Sequence, residues 1–339
     1  MEFTTHMDFP YDLEDEWNHL LAESDSHVPF LRSDYLADWW TTRGGGEWPD
    51  DAELAVITAS EGGRLIGIAP LFIAEHEEKK QLLLLGSIEI SDYLDLICRA
   101  EDLERFCSGL LVTIKEELAD SGRISGMDLY NIVEDSPSLK ALEAAAETLE
   151  LTFTVKRLMH SPYIPLPADW ETYLEGLDKK QRHEIRRKMR RAEEGETTVR
   201  VYFTQEISKL EDDMDDFLEL MAQDEEKEDF LSPLMRKQMK SIMRCAFEEG
   251  CLQLAFLMVG EQKAAAYLNF DFLNRIWVYN SGLDRRYTSY SPGWVLLGHL
   301  IQRAIEQGRQ EFDFMRGDEE YKYKFGAVDR FIMRATIEF

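Results

Sequence analysis

The sequence has little cysteine and little positive charge. Its four cysteines, none of them in a CxxC pair, are Cys98, Cys107, Cys245 and Cys251. This spacing argues against a zinc site or a disulfide framework, so we expect no metal and reduced, buried thiols. Asp and Glu number 66 against 38 Lys and Arg, which gives a net charge of −28. So acidic a surface argues against binding to nucleic acid or to anionic membranes as the main function.

Long apolar runs and common nucleotide-binding motifs are also absent. No apolar stretch reaches the roughly 18 residues that a spanning helix needs, so we expect no membrane span. The acidic segment 1–17 has no apolar signal-peptide core, and we therefore expect a cytoplasmic protein. Neither GxxxxGKS/T nor GxGxxG occurs in the chain. This argues against a P-loop and against a dinucleotide-binding unit.

The order of predicted elements repeats along the chain. Each half is predicted to contain helices, three meandering strands, a helix, a strand, a helix and a last strand. The pair Gly62-Gly63 and the triplet Gly260-Glu261-Gln262 between these strands indicate hairpin turns. Because hairpins outnumber crossovers, we predict an α+β fold of two tandem units, each a mixed, mostly antiparallel sheet flanked by helices. A proline-rich connector at 160–167 divides the chain into 1–160 and 161–339.

The stretch GLDRRYTSYSPGWVLLGHLI (282–301) combines cations, hydroxyls and a helix start. Ser291 is expected to cap the helix that Pro292 opens, and by itself this describes an ordinary helix start. Two adjacent arginines and several hydroxyl side chains precede it. Arginine and the free N–H groups of a helix start both favour phosphate oxygens. The residues predicted to hold a phosphate are Arg285, Arg286, Ser289, Ser291, Gly293 and Trp294.

Three stretches together resemble a known superfamily. A strand, an arginine-rich turn and a glycine at a helix start are similar to the pyrophosphate loop of GNAT acyltransferases, although the usual R/Q-x-x-G-x-G/A pattern is only approximated. RRYTSYSPG (285–293) and FDFMRGDEEYKYKFG (312–326) resemble the cellulose-biosynthesis acetyltransferase, or CelD-like, family. KKQRHEIRRKMRRAEE (179–194) resembles the basic helix of that family and of the Fem-type aminoacyltransferases. Those relatives carry two GNAT units in tandem, and the motifs cover about half of this chain.

The resemblance implies an acyltransferase that uses acyl-CoA, foremost acetyl-CoA, as co-substrate. The acyl group would pass directly to an amine or hydroxyl of a small-molecule or saccharide acceptor. The catalytic, acyl-CoA-binding unit would be 161–339, with the strand at 280–283 offering its backbone to the pantetheine arm. In the first half the counterpart stretch, 87–106, is acidic and lacks SPG, so we expect 1–160 to be a degenerate unit. Two alternatives stay open: aminoacyl transfer from charged tRNA, as in Fem-type relatives, and a non-catalytic scaffold.

Charged and tyrosine side chains follow the predicted strand 311–315, at a strand end where ligands tend to bind. Acyl transfer needs a base for the acceptor's proton and an acid for the leaving thiolate. Asp318 is the predicted base, and the resemblance assigns the acid to a tyrosine on the next helix. The same residues also fit an ordinary Asp-capped, solvated turn. The catalytic candidates are Asp318, Tyr321 and Lys324, and the acceptor-binding candidates are Arg316, Lys322 and Arg186.

The segment 179–191 holds eight Lys or Arg and one Glu within an acidic chain. One interpretation is a solvated helix that pairs with acidic neighbours such as Glu193, Glu194 and the EDDMDD run at 211–216. A second is a cationic wall that guides a phosphorylated donor or an anionic acceptor. Contact with tRNA is the minor alternative, because no aromatic interleaving accompanies the charges.

Overall fold

The structure, a computed structural model that describes residues 1–195 and 197–339, divides into two units. The first joins Met1–His160 to Arg330–Phe339, and the second is Ser161–Asp329. The sequence predicts a division into 1–160 and 161–339. In the structure the C-terminal strand, within Arg330–Phe339, is grouped with the first unit.

The strands lie throughout both units. They are β1 (Glu2–His6), β2 (Glu53–Leu54), β3 (Val56–Glu61), β4 (Arg64–Ala69), β5 (Leu71–His76), β6 (Lys79–Leu84), β7 (Ile97–Cys98), β8 (Gly126–Val133), β9 (Thr152–His160), β10 (Tyr163–Pro165), β11 (Val199–Phe203), β12 (Leu252–Val259), β13 (Gln262–Phe272), β14 (Arg275–Leu283), β15 (Glu311–Asp313) and β16 (Phe331–Glu338). This confirms the α+β prediction, since consecutive strands are joined by short turns as often as by helices.

The helices flank these strands. They are α1 (Glu14–Glu23), α2 (Ser33–Gly46), α3 (Leu103–Ile114), α4 (Pro137–Thr148), α5 (Trp170–Gly176), α6 (Lys179–Glu193), α7 (Ile207–Met221), α8 (Glu225–Phe230), α9 (Pro233–Glu248), α10 (Pro292–Glu306) and α11 (Glu320–Lys324). Within 1–195 and 197–339, no helix is both long enough and apolar enough to cross a membrane.

The first unit contains two sheets, ordered β1-β3-β4-β7 and β2-β5-β6-β8-β16-β9. The C-terminal strand β16 lies antiparallel between β8 and β9, with Ala335 opposite both Leu129 and Val155. An ion pair ties this strand to its neighbour, because Arg334 donates two hydrogen bonds to the fully buried carboxylate of Asp128, at 2.7 and 2.6 Å. The strand itself is predictable from the alternation of its side chains, whereas its partners are not.

The second unit has one six-stranded sheet, ordered β10-β15-β14-β13-β12-β11. Every neighbouring pair is antiparallel except β14 and β15, which are parallel. Helix α10 contributes a buried apolar face that packs with the buried side chains of β12 to β14. Helix α7 packs on β13 and β14, and at Gly282 its backbone comes so close that a Cβ atom would overlap Leu220 and Met221.

The basic helix α6 is amphipathic, and its apolar stripe packs on α10. Ile185, Met189 and Ala192 are buried and recur at the spacing of one helix face. The sulfur of Met189 would lie 2.9 Å from a Cβ at Gly298, so glycine allows the two helices to approach. The cations of α6 therefore occupy the remaining faces of a helix that is part of the second unit's core.

All four cysteines carry free thiols. Cys98, Cys107 and Cys251 are buried and Cys245 is half-buried, which confirms the prediction for three of them. Burial raises the pKa of Cys98 to about 12, so this thiol stays protonated and unreactive.

Candidate functional site

Strands β14 and β15 run together only at their start and then separate. Their last paired residues are Trp277 and Asp313. β14 continues to Leu283, whereas the chain after β15 turns at Met315, whose φ is +55°. Residues 278–283 are therefore paired with β13 on one side and form a V-shaped opening on the other.

β14 offers two peptide groups to this opening. The N–H of Asp284 donates to the carbonyl of Ala264 on the β13 side, at 2.9 Å. Peptide groups of an antiparallel strand alternate in direction from one residue to the next. Residues 281 and 283 therefore point their N–H and C=O groups away from β13, and the Ser281 N–H donates to the side-chain oxygen of Asn280 at 2.8 Å. An extended amide could pair with them as an additional strand would.

A buried phenol, Tyr267, and a half-buried one, Tyr321, belong to the same part of the unit. Tyr321 on α11 packs edge-on against Phe314, with ring centroids 6.0 Å apart. Burial raises the pKa of Tyr321 well above its usual value, and nearby Tyr267 of β13 and Glu319 add to the effect. Burial also raises the pKa of Tyr267. Both phenols therefore stay protonated and can donate a proton or a hydrogen bond.

The loop between β15 and α11 is held by a buried lysine. The ammonium of Lys322 donates to the carbonyls of Arg316 and Gly317, at 2.6 and 3.1 Å, and to a carboxylate oxygen of Glu319, at 2.9 Å. These three contacts use its three N–H donors. Lys322, predicted to bind an acceptor, instead stabilises the turn, and only the backbone oxygen of the predicted Arg316 is engaged with it.

The other predicted catalytic and acceptor-binding residues, on this stretch and on α6, lie in more exposed positions. Asp318 is exposed in the loop before α11. Lys324 forms an ion pair with Glu320 one helical turn away, at 2.9 Å. Arg186, on the outer face of α6, forms an ion pair with Glu171 of α5. The structure thus brings Tyr321 and Glu319 towards Tyr267, whereas Lys324 and Arg186 make local pairs.

The two adjacent arginines have different environments. Arg286 forms a bidentate ion pair with Asp284, with Nε 3.0 Å from Oδ1 and Nη2 2.5 Å from Oδ2. Hydrogen bonding from Arg286 lowers the pKa of Asp284. Arg285 is exposed and lines a cavity of about 120 Å³ with Ser281 and Lys227. Arg285 is therefore the more available of the two for a ligand.

The start of α10 differs from the predicted cap. Ser291 stands at the N-cap position, but its backbone is left-handed (φ +52°, ψ +51°) and its side chain makes no capping bond. Its carbonyl accepts the N–H of Val295 at 3.0 Å. The amides of Gly293 and Trp294 belong to the first turn, where a helix offers no internal acceptor. A Cβ at Gly293 would meet only a Leu283 methyl, at 3.7 Å, so space above this helix start is open.

The basic helix α6 lies beside this loop. The ammonium of Lys188 is 4.0 Å from the ring centroid of Trp294. Trp294 in turn packs on Phe325, with ring centroids 4.6 Å apart, so it forms part of a wall. A further cavity, of about 320 Å³, is lined by Arg191, Ala192, Gly195, Thr197, Ser289 and Tyr290. The predicted phosphate loop and the cations of α6 are thereby adjacent.

The acidic run 211–216 does not pair with α6 in the described parts of the chain. Its carboxylates form ion pairs with cations of α9 and β13 instead, namely Lys240, Arg244 and Lys263. Of the acidic neighbours expected to pair with the basic helix, this run does not, whereas Glu194 forms an ion pair with Arg190 at 3.9 Å. Several cations of α6 pair within their own helix, as Arg187 does with Glu184 at 2.9 Å.

Sequence reasoning missed three residues of the opening. Lys227 of α8 donates to the Ser281 carbonyl at 2.6 Å and to the Asn280 side chain at 2.9 Å. Lys227 stands alone in an acidic segment, Tyr267 lies within an apolar strand, and Asp284 precedes the arginines. An isolated lysine among acids was the one available signal, and it does not reveal its strand partner.

Residues 179–323 match a family model described as Acetyltransferase (GNAT) domain. The match begins at α6 and ends in α11. It therefore includes β14, the segment 284–291 that contains Arg285 and Arg286 (the arginine loop), α10 and β15. A search of curated proteins gave no match. The resemblance to the CelD-like branch is not tested by these comparisons and stays a prediction.

Solved structures share the whole architecture at low sequence identity. FemX superposes with a TM-score of 0.67 at 10% identity, covering 98% of this chain and 97% of FemX. A conserved protein of unknown function from Bacteroides thetaiotaomicron gives 0.61 at 14% identity, covering 100% of both chains. A tandem GNAT protein from the clavulanic acid biosynthesis pathway gives 0.50 at 13% identity, covering 98% and 97%. The chain therefore shares the fold of FemX and of a tandem GNAT protein, and residues 179–323 are similar to the acetyltransferase (GNAT) domain model.

Proposed function

We propose that the second unit transfers an acyl group from acyl-CoA to an amine or hydroxyl acceptor. The observation that carries this proposal is the opening between β14 and β15, which leads directly to the uncapped start of α10. Residues 281 and 283 would pair with the amides of the pantetheine arm. The first amides of α10 would receive the pyrophosphate, because a helix start favours anions and Gly293 leaves room for them.

The charges around the loop support this donor. Arg285 is exposed beside the opening, and Lys188 and Arg191 of α6 stand on the other side of the loop. In a chain of net charge −28, such a local concentration of cations is suited to a phosphorylated ligand. Arg286 contributes indirectly by holding Asp284 and with it the shape of the turn.

The proposed chemistry is direct transfer. The acceptor nitrogen or oxygen attacks the thioester carbonyl, the new C–N or C–O bond forms and the C–S bond breaks. Tyr321, a phenol that stays protonated, would give its proton to the leaving thiolate. Asp318 is proposed to take the acceptor's proton, and its exposed position leaves it reachable by a small-molecule or saccharide acceptor.

Isothermal titration with acetyl-CoA and CoA tests the donor, followed by thiol release in the presence of amine and sugar acceptors. We expect Arg285→Ala to weaken CoA binding by about tenfold, since a hydrogen bond to a charged group contributes about 1.5–3 kcal/mol. Arg286→Ala should have a smaller effect, and Arg64→Ala in β4 of the first unit serves as the control. No binding at about 1 mM CoA would overturn the proposal.

A second candidate is aminoacyl transfer from charged tRNA, implied by the resemblance to Fem-type enzymes. The observation that favours it is α6, whose cations line the cavity next to Ser289 and Tyr290. Binding of a polyanion through this helix would fall steeply with salt, by about 10³-fold or more between 50 and 200 mM if six or more phosphates are contacted. Filter binding of aminoacyl-tRNA across that range, beside the CoA titration, separates the two donors.

A further inference from the structure

Lys227 occupies the strand edge that a donor would need. Its ammonium donates to the carbonyl of Ser281 at 2.6 Å, and this carbonyl points away from β13. A second bond, to the side chain of Asn280 at 2.9 Å, fixes the ammonium there. An N–H donor already satisfies the acceptor with which an extended amide would pair.

The helix that carries this lysine has little else to hold it. α8 is one and a half turns long, and none of its residues is buried. Its other side chains include four carboxylates, Glu225, Glu226, Glu228 and Asp229. Asp224 caps the helix, and the cavity of about 120 Å³ beneath it is bounded by Lys227, Ser281 and Arg285. A short helix with no buried side chain can move locally at a modest free-energy cost.

Lys227 and an amide-bearing ligand exclude each other at Ser281. The open side of one carbonyl on a strand edge accepts one well-aligned N–H in the plane of the sheet. The arm of a pantetheine thioester carries two amides, whereas the nucleotide end of CoA and the ester of an aminoacyl-tRNA have none to place there. The free edge of β14 therefore selects a donor that has an amide-bearing pantetheine arm. The phosphates of the donor do not contribute to this selection.

We propose that Lys227 is a latch on β14: it holds the Ser281 carbonyl in the ligand-free protein, and a pantetheine thioester displaces it on binding. This inference rests on the proposed acyl-CoA function and adds the residue that sets the affinity for the arm. Removal of the ammonium frees the carbonyl, so the affinity for pantetheine rises.

The charge of the latch depends on its surroundings. Burial lowers the pKa of Lys227; Asp224 and Glu319 oppose this by favouring the ammonium, and Lys322 adds to it. Arg285 lines the same cavity and adds a further cation. Deprotonation leaves a weaker donor, so the latch loosens as the pH rises towards the ordinary lysine range.

The test compares Lys227→Met, Lys227→Arg and the control Lys237→Met, an exposed lysine of α9. The probes are CoA, pantetheine and adenosine 3′,5′-bisphosphate, the last of which has no amide arm. For Lys227→Met we expect CoA and pantetheine to bind about three- to tenfold more tightly, with the bisphosphate unchanged. Lys227→Arg and Lys237→Met should stay near the parent protein.

Two further readouts make the outcome decisive. In the parent protein the pantetheine affinity should rise between about pH 7 and pH 10, and in Lys227→Met it should be flat. Hydrogen exchange should speed up in α8 of Lys227→Met without any ligand. Equal or weaker pantetheine binding by Lys227→Met, or the same pH dependence, overturns the latch alone. If neither protein binds CoA or pantetheine, the acyl-CoA function itself fails.

Discussion

Each unit has a parallel strand pair, but the length of free strand beyond the pair differs between them. In the first unit β6 pairs with β8 up to Leu83 and ends one residue later, so little edge is left free. In the second unit β14 continues for six residues beyond its last partner on β15. An opening for an extended ligand thus exists on β14 and has no equivalent length of free strand on β6.

The starts of helices α3 and α10 also differ between the two units. α3 begins after Asp102, whose side chain makes no capping bond, and carries Glu104 in its first turn, so one carboxylate lies near the positive end of the helix. α10 has no acidic residue in its first turn and no side-chain cap. A protein carboxylate thus takes the place of an anion in one unit, whereas the other unit leaves this position to a ligand. The degeneracy of the first unit, predicted from the acidic stretch 87–106 that lacks SPG, stays a prediction.

The substitution with the largest expected effect is Gly282→Ala, which adds a methyl group where β14 and α7 are in close contact. A Cβ at Gly282 would overlap the α7 backbone at Leu220 and Met221, so Gly282→Ala forces helix and strand apart. We expect a loss of about 2–4 kcal/mol of unfolding free energy, at the upper end of overpacking because backbone must move. Urea unfolding measures this loss. Gly176→Ala, where nothing lies within 4 Å, is the control and should change little; an equal loss there would contradict the overlap as the cause.

A carboxylate in the first turn of α10, such as α3 has in Glu104, should remove the difference in anion binding between the two helix starts. Gly293→Glu places a carboxylate at a helix start where a side chain has space. We expect CoA to bind at least about tenfold more weakly, while stability rises by about 0.3–1 kcal/mol through the helix dipole. Titration and thermal unfolding of the same sample check both. Gly293→Ala controls for loss of the glycine, and unchanged CoA affinity in the Glu variant would remove the helix start from the donor site.

Local features of both units could be read from the sequence. Gly62–Gly63 and Gly260 mark hairpins because these positions adopt positive φ, and Pro292 opens a helix because its missing N–H needs no partner there. Such signals lie within a few residues and depend on backbone geometry alone. They sufficed for the α+β order and for the position of the arginine loop.

Features that depend on distant partners could not be read. β16 lies between β8 and β9 although nearly 200 residues separate it from β8, and Lys227 meets a strand more than 50 residues away. The sequence suggested Lys322 as a ligand because a cation at a strand end could hold an anionic acceptor, yet in the fold its ammonium is buried and donates to loop carbonyls. Arg286 was grouped with Arg285, and only Asp284 in the folded loop separates their roles.

Two loop aspartates, one in each unit, allow the two units to be compared by the pH dependence of their stability. Burial raises the pKa of Asp95 in the first unit, despite bonds from Ser26, Ser136 at 2.5 Å and the Leu96 amide. Asp284 in the second unit has a lowered pKa because Arg286 binds it. Asp95 therefore favours folding at low pH and loses that contribution as the pH rises above about 4, while Asp284 contributes above about pH 4 and loses it below.

Asp95→Asn and Asp284→Asn should consequently respond to pH with opposite signs. Relative to the parent protein, Asp284→Asn should lose about 0.5–1 kcal/mol at pH 7, since its partner is exposed, and converge towards pH 3. Asp95→Asn should gain in relative stability as the pH rises. Hydrogen exchange of peptides from each unit between about pH 5 and 8, with urea unfolding below, follows the two loops separately. The same sign for both variants would contradict these assignments.

The smallest expected effect comes from a comparison of two arginines of α6, Arg191 and Arg187. Arg191 lines the cavity beside Ser289, whereas Arg187 forms an ion pair with Glu184 on its own helix. Arg191→Gln should weaken CoA binding about two- to threefold at low salt and less at high salt, as expected for a screened cation that guides a phosphate. Arg187→Gln should leave the affinity unchanged, because its charge is already paired. Equal effects of the two substitutions would mean that α6 acts through its total charge, which is the behaviour that a tRNA-binding helix requires and a local phosphate subsite does not.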